Sequence, residues 1–192
     1  MGHRIAILPG DGIGTEVTRE AVALLELVDR ARPMPLSLWH LDLGADRYLR
    51  DGTTMPTETF DEVKETCSAV LLGALGDPRV ASNDHARDIL FGFRFGLDLY
   101  ANVRPVRCLD DRLCPLKGRT ASDVDMVVFR ENTEGVYVNV GGQVRRGTAD
   151  EIAINEDINT RRGVERIIRA AFDFAVKHGK GRVHMADKSN AM

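Results

Sequence analysis

The residues of this chain best suited to chemistry lie in one short segment, residues 129–137, with the sequence FRENTEGVY. Within it, Arg130 offers a guanidinium that can bind a carboxylate through two parallel hydrogen bonds, and Tyr137 offers a phenol that can transfer a proton. The apolar run Val124–Arg130 precedes the turn and is typical of a buried strand. Ligands gather at strand ends in α/β sheets. The segment predicts an acid-binding site, unless Arg130–Glu131 is only a surface ion pair and Tyr137 an ordinary strand aromatic.

Three further cationic residues fall at the predicted ends of helices and strands: Arg94, Arg104 and Lys188. If the fold brings them to Arg130 and Tyr137, three arginines would offer forked hydrogen-bond donors to a dicarboxylate. The tyrosine and the lysine would then supply proton transfer. Arginines on a helix flank are normally solvated, so none of these residues is informative alone.

The bulk properties exclude several classes of protein. The chain has 192 residues, 43% of them hydrophobic and 29% charged, as in ordinary globular proteins. A net charge of −3 gives no broad attraction to nucleic acid or to acidic membranes. No apolar run reaches the ~18–20 residues of a membrane span, and the N-terminal run is too short for a signal peptide. We therefore expect a cytoplasmic protein with no nucleic-acid or membrane partner.

The cysteines and histidines show no spacing typical of a metal site. Cys67, Cys108 and Cys114 form no C-x-x-C pair, and an odd number of cysteines suits free thiols in a reducing compartment. The five histidines are dispersed along the chain. The cysteines and histidines therefore predict no metal site.

Two glycine-rich turns follow two predicted strands. Arg4–Leu8 leads into PGDGIG at residues 9–14, and a helical pattern begins at Val17. Ser68–Leu72 leads into GALGDPRV at residues 73–80. This repeated order predicts a doubly wound α/β sheet. The first turn lacks G-x-G-x-x-G and GK[ST], so it is either a tight turn or an anion-binding loop at a helix N-terminus.

The remaining elements are predicted from periodicity and from Gly and Pro punctuation. Helices are predicted at 57–67, with Thr57 as the cap, at 89–97, and from Thr160 to Gly179; strands at 36–41, 100–106, 136–140, 143–146, 151–155 and 182–186. The β-rich segment around Gly141-Gly142 is either a projecting arm for subunit contacts or a plain antiparallel edge.

Five motifs together resemble one known family. They are LPGDGIGTEV at 8–17, LLGALGDP at 71–78, FRFGLDLYANVRPV at 93–106, RENTEGVY at 130–137 and DKSN at 187–190. In this order, across nearly the whole chain, they resemble the β-decarboxylating dehydrogenases, which include 3-isopropylmalate, isocitrate, homoisocitrate, tartrate and D-malate dehydrogenases. The resemblance implies an isopropylmalate/isocitrate dehydrogenase-like three-layer α/β sandwich with a parallel or mixed sheet and a β-arm. It implies a first α/β domain at 1–99 and a dimerisation domain at 100–192.

The resemblance also implies roles for single residues. Arg94, Arg104 and Arg130 would bind the carboxylates of a 2-hydroxy dicarboxylic acid, with Leu90 against its side chain. Lys188 would take the proton of the substrate hydroxyl, and Tyr137 would protonate the enolate after carbon dioxide leaves.

A nicotinamide cofactor and a divalent cation belong to the same expectation. The resemblance implies NAD, with Mg²⁺ or Mn²⁺ polarising the ketone, in a homodimer whose sites are shared because Lys188 and Asn190 enter the partner's site. The residues expected near NAD are Ile13, Gly76, Asp77, Arg87 and Asn190. Arg87 departs from the glutamate frequent at this position in isopropylmalate enzymes, so the sequence leaves NAD or NADP open.

Family members continue well beyond DKSN. The resemblance therefore implies that the metal-binding aspartates belong to a C-terminal half outside this chain, and the chain alone is not expected to turn over substrate. Leu90 and Phe91 favour a 3-isopropylmalate-like substrate, whereas the RENTEG run favours the D-malate/tartrate, homoisocitrate and NAD-isocitrate branches. A non-catalytic regulatory subunit of the same fold is a further alternative, although Tyr137 and Lys188 argue against it.

Overall fold

A computed structural model describes residues 2–186 of the chain. The chain divides into two compact units, Met1–Leu97 and Asp98–Met192. Of the helices in the described range, none has both the length and the apolarity needed to cross a bilayer. All three cysteines lie in this range, and none of them forms a disulfide.

The first unit is built on a parallel three-stranded sheet in the order β2-β1-β3. Its strands are β1 (His3–Gly10), β2 (Leu36–His40) and β3 (Ala69–Ala74). Its helices are α1 (Ile13–Ala31), α2 (Ala45–Asp51), α3 (Thr57–Thr66) and α4 (Asp84–Gly96). The run Ala6–Leu8 is fully buried, as expected for a central parallel strand.

Helices cover both faces of this sheet. Ala6 and Leu8 point to one face, where they pack with Val63 of α3 and with Ile89 and Phe93 of α4. Helix α1 packs on β1 and β3 from the other face. A Cβ at Gly73 would lie 2.6 Å from Thr18 Oγ1 of α1, so glycine permits this close approach. The unit therefore has the three layers expected from the sequence.

The second unit contains two antiparallel strand pairs and one long helix. Strand β4 (Ala101–Arg107) pairs with β5 (Asp125–Glu131), and β6 (Gly141–Val144) pairs with β7 (Ile152–Asn155). Helix α5 (Arg161–Lys177) packs on β5, with the Phe174 and Phe129 ring centroids 5.2 Å apart. The α5 N-cap is Thr160, as predicted, and its hydroxyl accepts a hydrogen bond from Gly163 N.

Three local predictions were wrong. Residues 136–140 are not a strand, because Val136–Val138 form a 3₁₀ turn after Gly135, whose φ is +71°. Residues 182–186 have no strand structure and are exposed, because no neighbouring strand pairs with them within the described residues. Thr57 is the first residue of α3 rather than its cap, since Pro56 holds the N-cap position.

Candidate functional site

In the first unit, the parallel strands β1 and β3 end side by side, and Asp11 joins the loops that follow them. Its Oδ1 accepts a hydrogen bond from Ala45 N (2.7 Å), and its Oδ2 accepts one from Gly76 N (2.8 Å). His85 Nε2 lies 2.8 Å from the same Oδ2 and donates to it, since an ionised carboxylate only accepts. One buried carboxylate therefore fixes the start of α2, the loop after β3 and the first turn of α4.

The electrostatics of Asp11 suit this role. Burial would raise the pKa of the Asp11 carboxyl, but the hydrogen bonds from Ala45, Gly76 and His85 outweigh it and hold the pKa below its ordinary value. Asp11 is 7% exposed and His85 is fully buried. The carboxylate therefore stays charged as an internal anchor.

Two of the residues predicted to contact the cofactor lie at this edge. Ile13 opens α1 with its apolar side chain 61% exposed. Gly76 has φ +138°, and an added Cβ there would meet only Asn83 Oδ1, at 3.8 Å. The ends of the strands are therefore flanked by the exposed apolar side chain of Ile13 and by the backbone of Gly76, a residue without a side chain.

Asp77 and Arg87, the other predicted cofactor residues in the described range, are both held in ion pairs. The backbone N–H and the guanidinium of Arg79 both donate hydrogen bonds to the Asp77 carboxylate. These bonds lower the Asp77 pKa to about 2. The same guanidinium reaches Asp46 at the start of α2 (2.7 Å). Arg87 Nη2 pairs with Asp84 on its own helix, 2.9 Å away.

Leu90 and Arg94, predicted to bind substrate, lie on α4 and are both half-buried. The Arg94 guanidinium carbon lies 5.6 Å from the centre of the Phe91 ring, which stacks on Phe95 with centroids 5.5 Å apart. This part of α4 therefore presents an arginine beside an apolar aromatic pair.

In the second unit, the strand register places Arg104 and Arg130 on one face of the β4–β5 pair. Asn102 lies opposite Arg130, and Arg104 lies opposite Val128, so all four side chains point the same way. Asn102 Oδ1 accepts a hydrogen bond from Arg104 Nε (2.9 Å). The Arg130 guanidinium carbon lies 4.6 Å from the centre of the Tyr137 ring. Arg104, Arg130 and Tyr137, all predicted from the sequence, therefore belong to one part of the second unit.

The turn between Arg130 and Tyr137 is organised by Glu131. Its Oε2 accepts hydrogen bonds from the backbone N–H groups of Thr133 (2.7 Å) and Glu134 (2.6 Å). Its Oε1 accepts from the Thr133 hydroxyl (2.8 Å) and from Arg166 Nη2 (3.1 Å). Just after β5, the Glu131 carboxylate thus accepts the backbone hydrogen bonds that a neighbouring strand would accept inside a sheet.

Glu134 joins the same turn to the N-terminus of α5. Its carboxylate accepts hydrogen bonds from Thr160 N (2.8 Å) and from the Thr160 hydroxyl (2.6 Å). Desolvation opposes the charge, but these bonds and the nearby Arg166 and Arg162 lower the Glu134 pKa. A Cβ at Gly163 would collide with this carboxylate. The RENTEG segment is therefore a set of internal contacts that holds Arg130 and Tyr137.

Four of these residues are not predicted from the sequence: Asp11, His85, Glu134 and Arg166. Glu131 is considered there only as a neighbour or ion-pair partner of Arg130, and its role in the turn is not predicted. No pattern marks Arg166, because the apolar period of α5 runs through Val164, Ile168 and Ala171 and leaves Arg166 among the polar positions. The pairing of Asp11 with His85 has no signal either, because the two are 74 positions apart.

Lys188 and Asn190 lie outside the described residues. Within residues 2–186, no three His, Cys, Asp or Glu side chains cluster closely enough to hold a metal ion. Around one face of the β4–β5 pair, the second unit brings together the guanidiniums of Arg104 and Arg130, which can bind carboxylate oxygens, and the phenol of Tyr137, which can transfer a proton.

Known proteins match the chain over almost its whole length. The sequence profile of the family described as isocitrate/isopropylmalate dehydrogenase matches residues 4–192. A 3-isopropylmalate dehydrogenase of Bifidobacterium longum is 43% identical over 190 residues, covering 99% of this chain and 54% of the relative. A tartrate dehydrogenase/decarboxylase of Pseudomonas putida is 40% identical over 191 residues, covering 98% and 52%.

Solved structures agree with these matches. The crystal structure of isocitrate dehydrogenase from Methylococcus capsulatus superposes with a TM-score of 0.74 at 30% identity, covering 93% of this chain and 49% of that chain. This chain spans about half the length of the curated relatives it matches. The chain belongs to the isocitrate/isopropylmalate dehydrogenase family.

Proposed function

We propose that this chain carries the carboxylate-binding and proton-donating residues of an NAD-dependent enzyme that oxidatively decarboxylates a 2-hydroxy dicarboxylic acid. The observation that carries the proposal is the Arg130 guanidinium 4.6 Å from the Tyr137 ring centre, on the strand pair that also presents Arg104. A cation beside a phenol suits a substrate whose negative charge must be held while a proton is delivered.

In the proposed reaction, Arg104 and Arg130 bind the substrate carboxylates, and Arg94 is a third candidate for this role. NAD, held beside Ile13 and Gly76, would supply the acceptor for the hydride that leaves C2. Lys188, outside the described residues, takes the hydroxyl proton. The bond between C3 and its carboxylate then breaks, and Tyr137 donates a proton to C3. Within residues 2–186, no three His, Cys, Asp or Glu side chains lie close enough to hold a metal ion. On the family resemblance, we propose that the ligands of the Mg²⁺ or Mn²⁺ lie in the C-terminal half of the enzyme.

The glycine-rich edge of the first unit supports the proposed NAD site. A Cβ at Gly14 would lie 2.6 Å from Ala74 O, so glycine lets α1 begin directly against the end of β3. The exposed Ile13 then offers an apolar contact for a flat ring next to the Gly76 backbone.

We favour a 3-isopropylmalate-like substrate. Leu90 and Phe91 on α4 give an apolar surface near Arg94, which suits an alkyl substituent. D-malate or tartrate is the second candidate, supported by the RENTEG segment and by the 40% identical tartrate enzyme. We propose further that the protein works in the cytoplasm as a homodimer with shared sites.

The test joins residues 1–192 to the remaining C-terminal length of the Bifidobacterium longum relative and supplies NAD with Mg²⁺ or Mn²⁺. We expect NADH formation with 3-isopropylmalate above D-malate, tartrate and isocitrate. Tyr137→Phe should lower kcat about 100-fold or more and change KM less than about threefold, because the ring next to Arg130 is kept while the proton is lost. A folded chimera inactive on all four acids would overturn the proposal.

A further inference from the structure

The side chain of Arg166 on α5 bridges two segments of the second unit. Its Nη1 pairs with both carboxylate oxygens of Asp98 (2.8 and 3.0 Å), just before β4. Its Nη2 donates to the Thr133 hydroxyl (2.6 Å) and to Glu131 (3.1 Å), just after Arg130. The plane of the guanidinium also lies over the Tyr100 ring, 4.5 Å from its centre.

This contact set is more than a surface ion pair. Only 18% of the Arg166 side chain and 19% of the Glu131 side chain are exposed. Burial alone would lower the Arg166 pKa, but the hydrogen bonds to Asp98 and Glu131 raise it above the ordinary value. A planar fork can satisfy carboxylates on two segments at once, which a lysine ammonium on a flexible stem does poorly.

Arg166 acts on the proposed site through Glu131. The Glu131 carboxylate holds the N–H groups of Thr133 and Glu134, so it sets the course of the chain from Arg130 to Tyr137. Asp98 and Tyr100 fix the other end of the guanidinium to the segment that enters β4, whose first residue pairs with Glu131. The Arg166 guanidinium therefore joins the segment before β4 to the turn after β5, where the pairing of the two strands ends.

We propose that Arg166 is a positioning residue that holds the Arg130 guanidinium on the Tyr137 ring by clamping the 131–134 turn to the start of β4. Its catalytic relevance rests on the proposed function, but the placement of the two side chains is measurable without any substrate. Arg166 itself touches neither reacting group.

The experiment is proton NMR on the 192-residue chain with labelled arginine, tyrosine and phenylalanine. Cross-relaxation between Arg130 side-chain protons and Tyr137 ring protons should be present in the wild type and lost in Arg166→Gln. Arg166→Lys should weaken it, because one ammonium cannot bridge Asp98 and Glu131 together. The matched control is Arg169→Gln, since Arg169 pairs with Glu165 on its own helix in the i,i+4 arrangement and is 68% exposed; it should keep the signal.

The Phe129–Phe174 ring contact serves as the internal check on folding, because it reports β5–α5 packing next to Arg130. If Arg166→Gln keeps both this contact and full Arg130–Tyr137 cross-relaxation, the proposal is overturned. If Arg166→Gln loses the ring contact, Arg166→Lys decides: a weakened Arg130–Tyr137 signal supports the proposal and an unchanged one overturns it. In the active chimera, Arg166→Lys should lower kcat about tenfold with little change in KM. If the chimera is inactive but the NMR result is the expected one, the proposed function is refuted and the positioning role of Arg166 stands.

Discussion

At the scale of single residues, Asp11 decides how the glycine-rich loops are used. The GDGIG turn could have been an anion-binding loop, but two of the N–H donors near it, Ala45 and Gly76, already bind the Asp11 carboxylate. Gly14 N donates to Asp11 O. These donors are satisfied by the chain itself, which argues against a generic phosphate-binding protein relying on this loop.

Removing the charge of Asp11 should destabilise the first unit. We expect Asp11→Asn to lower the free energy of unfolding by about 3 kcal/mol. The buried carboxylate accepts three hydrogen bonds, whereas the amide nitrogen of asparagine can only donate and would face a donor in place of an acceptor. Urea unfolding followed by the fluorescence of Trp39, the single tryptophan, measures it. Asp46→Asn is the control, since the Asp46 side chain is 82% exposed, and it should change stability by less than about 0.5 kcal/mol.

The effect of Asp11 should depend on pH in a defined direction. Its folded pKa lies below the ordinary value of 3.8. Its contribution is therefore complete above the unfolded pKa and is lost as the pH falls through the folded pKa. The stability difference between wild type and Asp11→Asn should shrink as the pH falls below about 4. A difference that grows on acidification contradicts this assignment.

At the scale of elements, the RENTEG segment shows where sequence patterns stop being sufficient. The apolar alternation of residues 136–140 suggested a strand, but Gly135 turns the chain and Glu131 and Glu134 supply contacts in place of a ladder. Helix α2 was not predicted at all. It has seven residues, and its first N–H is bound by Asp11, 34 positions earlier. Such long-range partners are not visible in local periodicity.

The well-predicted elements are those with a clear local pattern. Strand β1 reads as a continuous apolar run and is buried at the centre of its sheet. Helix α5 has a polar cap and a clear 3.6-residue period. Its burial does not follow that period throughout, since Val164, Ile168, Phe172 and Val176 are 42–82% exposed. The motifs also pointed to Arg104, Arg130 and Tyr137, which lie together in the second unit, whereas the residues that hold them were recognised only from contacts.

Gly163 tests whether the Glu134 contact matters to α5. Alanine normally stabilises a helix by about 1 kcal/mol relative to glycine, but a Cβ at this position collides with the Glu134 carboxylate. We expect Gly163→Ala to destabilise the chain by about 1 kcal/mol in urea unfolding followed by circular dichroism. Gly92→Ala on α4 is the matched control, because its added Cβ has nothing within 4 Å, and it should stabilise by about 0.5–1 kcal/mol. Equal stabilisation by both variants would show that Glu134 moves without cost.

At the scale of the whole molecule, the β6–β7 hairpin has two chemically different faces. Val144 lies opposite Ile152, and Gly142 lies opposite Ile154, so the three aliphatic side chains share one face. Each of them is about half exposed, between 49% and 53%. The opposite face carries Gln143 and Asn155. A two-stranded hairpin is marginally stable alone, and an uncovered aliphatic face favours association.

This hairpin is the surface on which the proposed homodimer can be tested. We expect Ile154→Lys, which places a charge on the aliphatic face, to shift the chain toward monomer by about tenfold or more in dissociation constant, because an unpaired ammonium buried between subunits is strongly unfavourable. Ala153→Lys is the matched control, since Ala153 is the neighbouring residue on the polar face. Sedimentation velocity over a concentration series measures both. If the two variants associate equally, the aliphatic face is not the subunit contact; if only Ile154→Lys dissociates, it is.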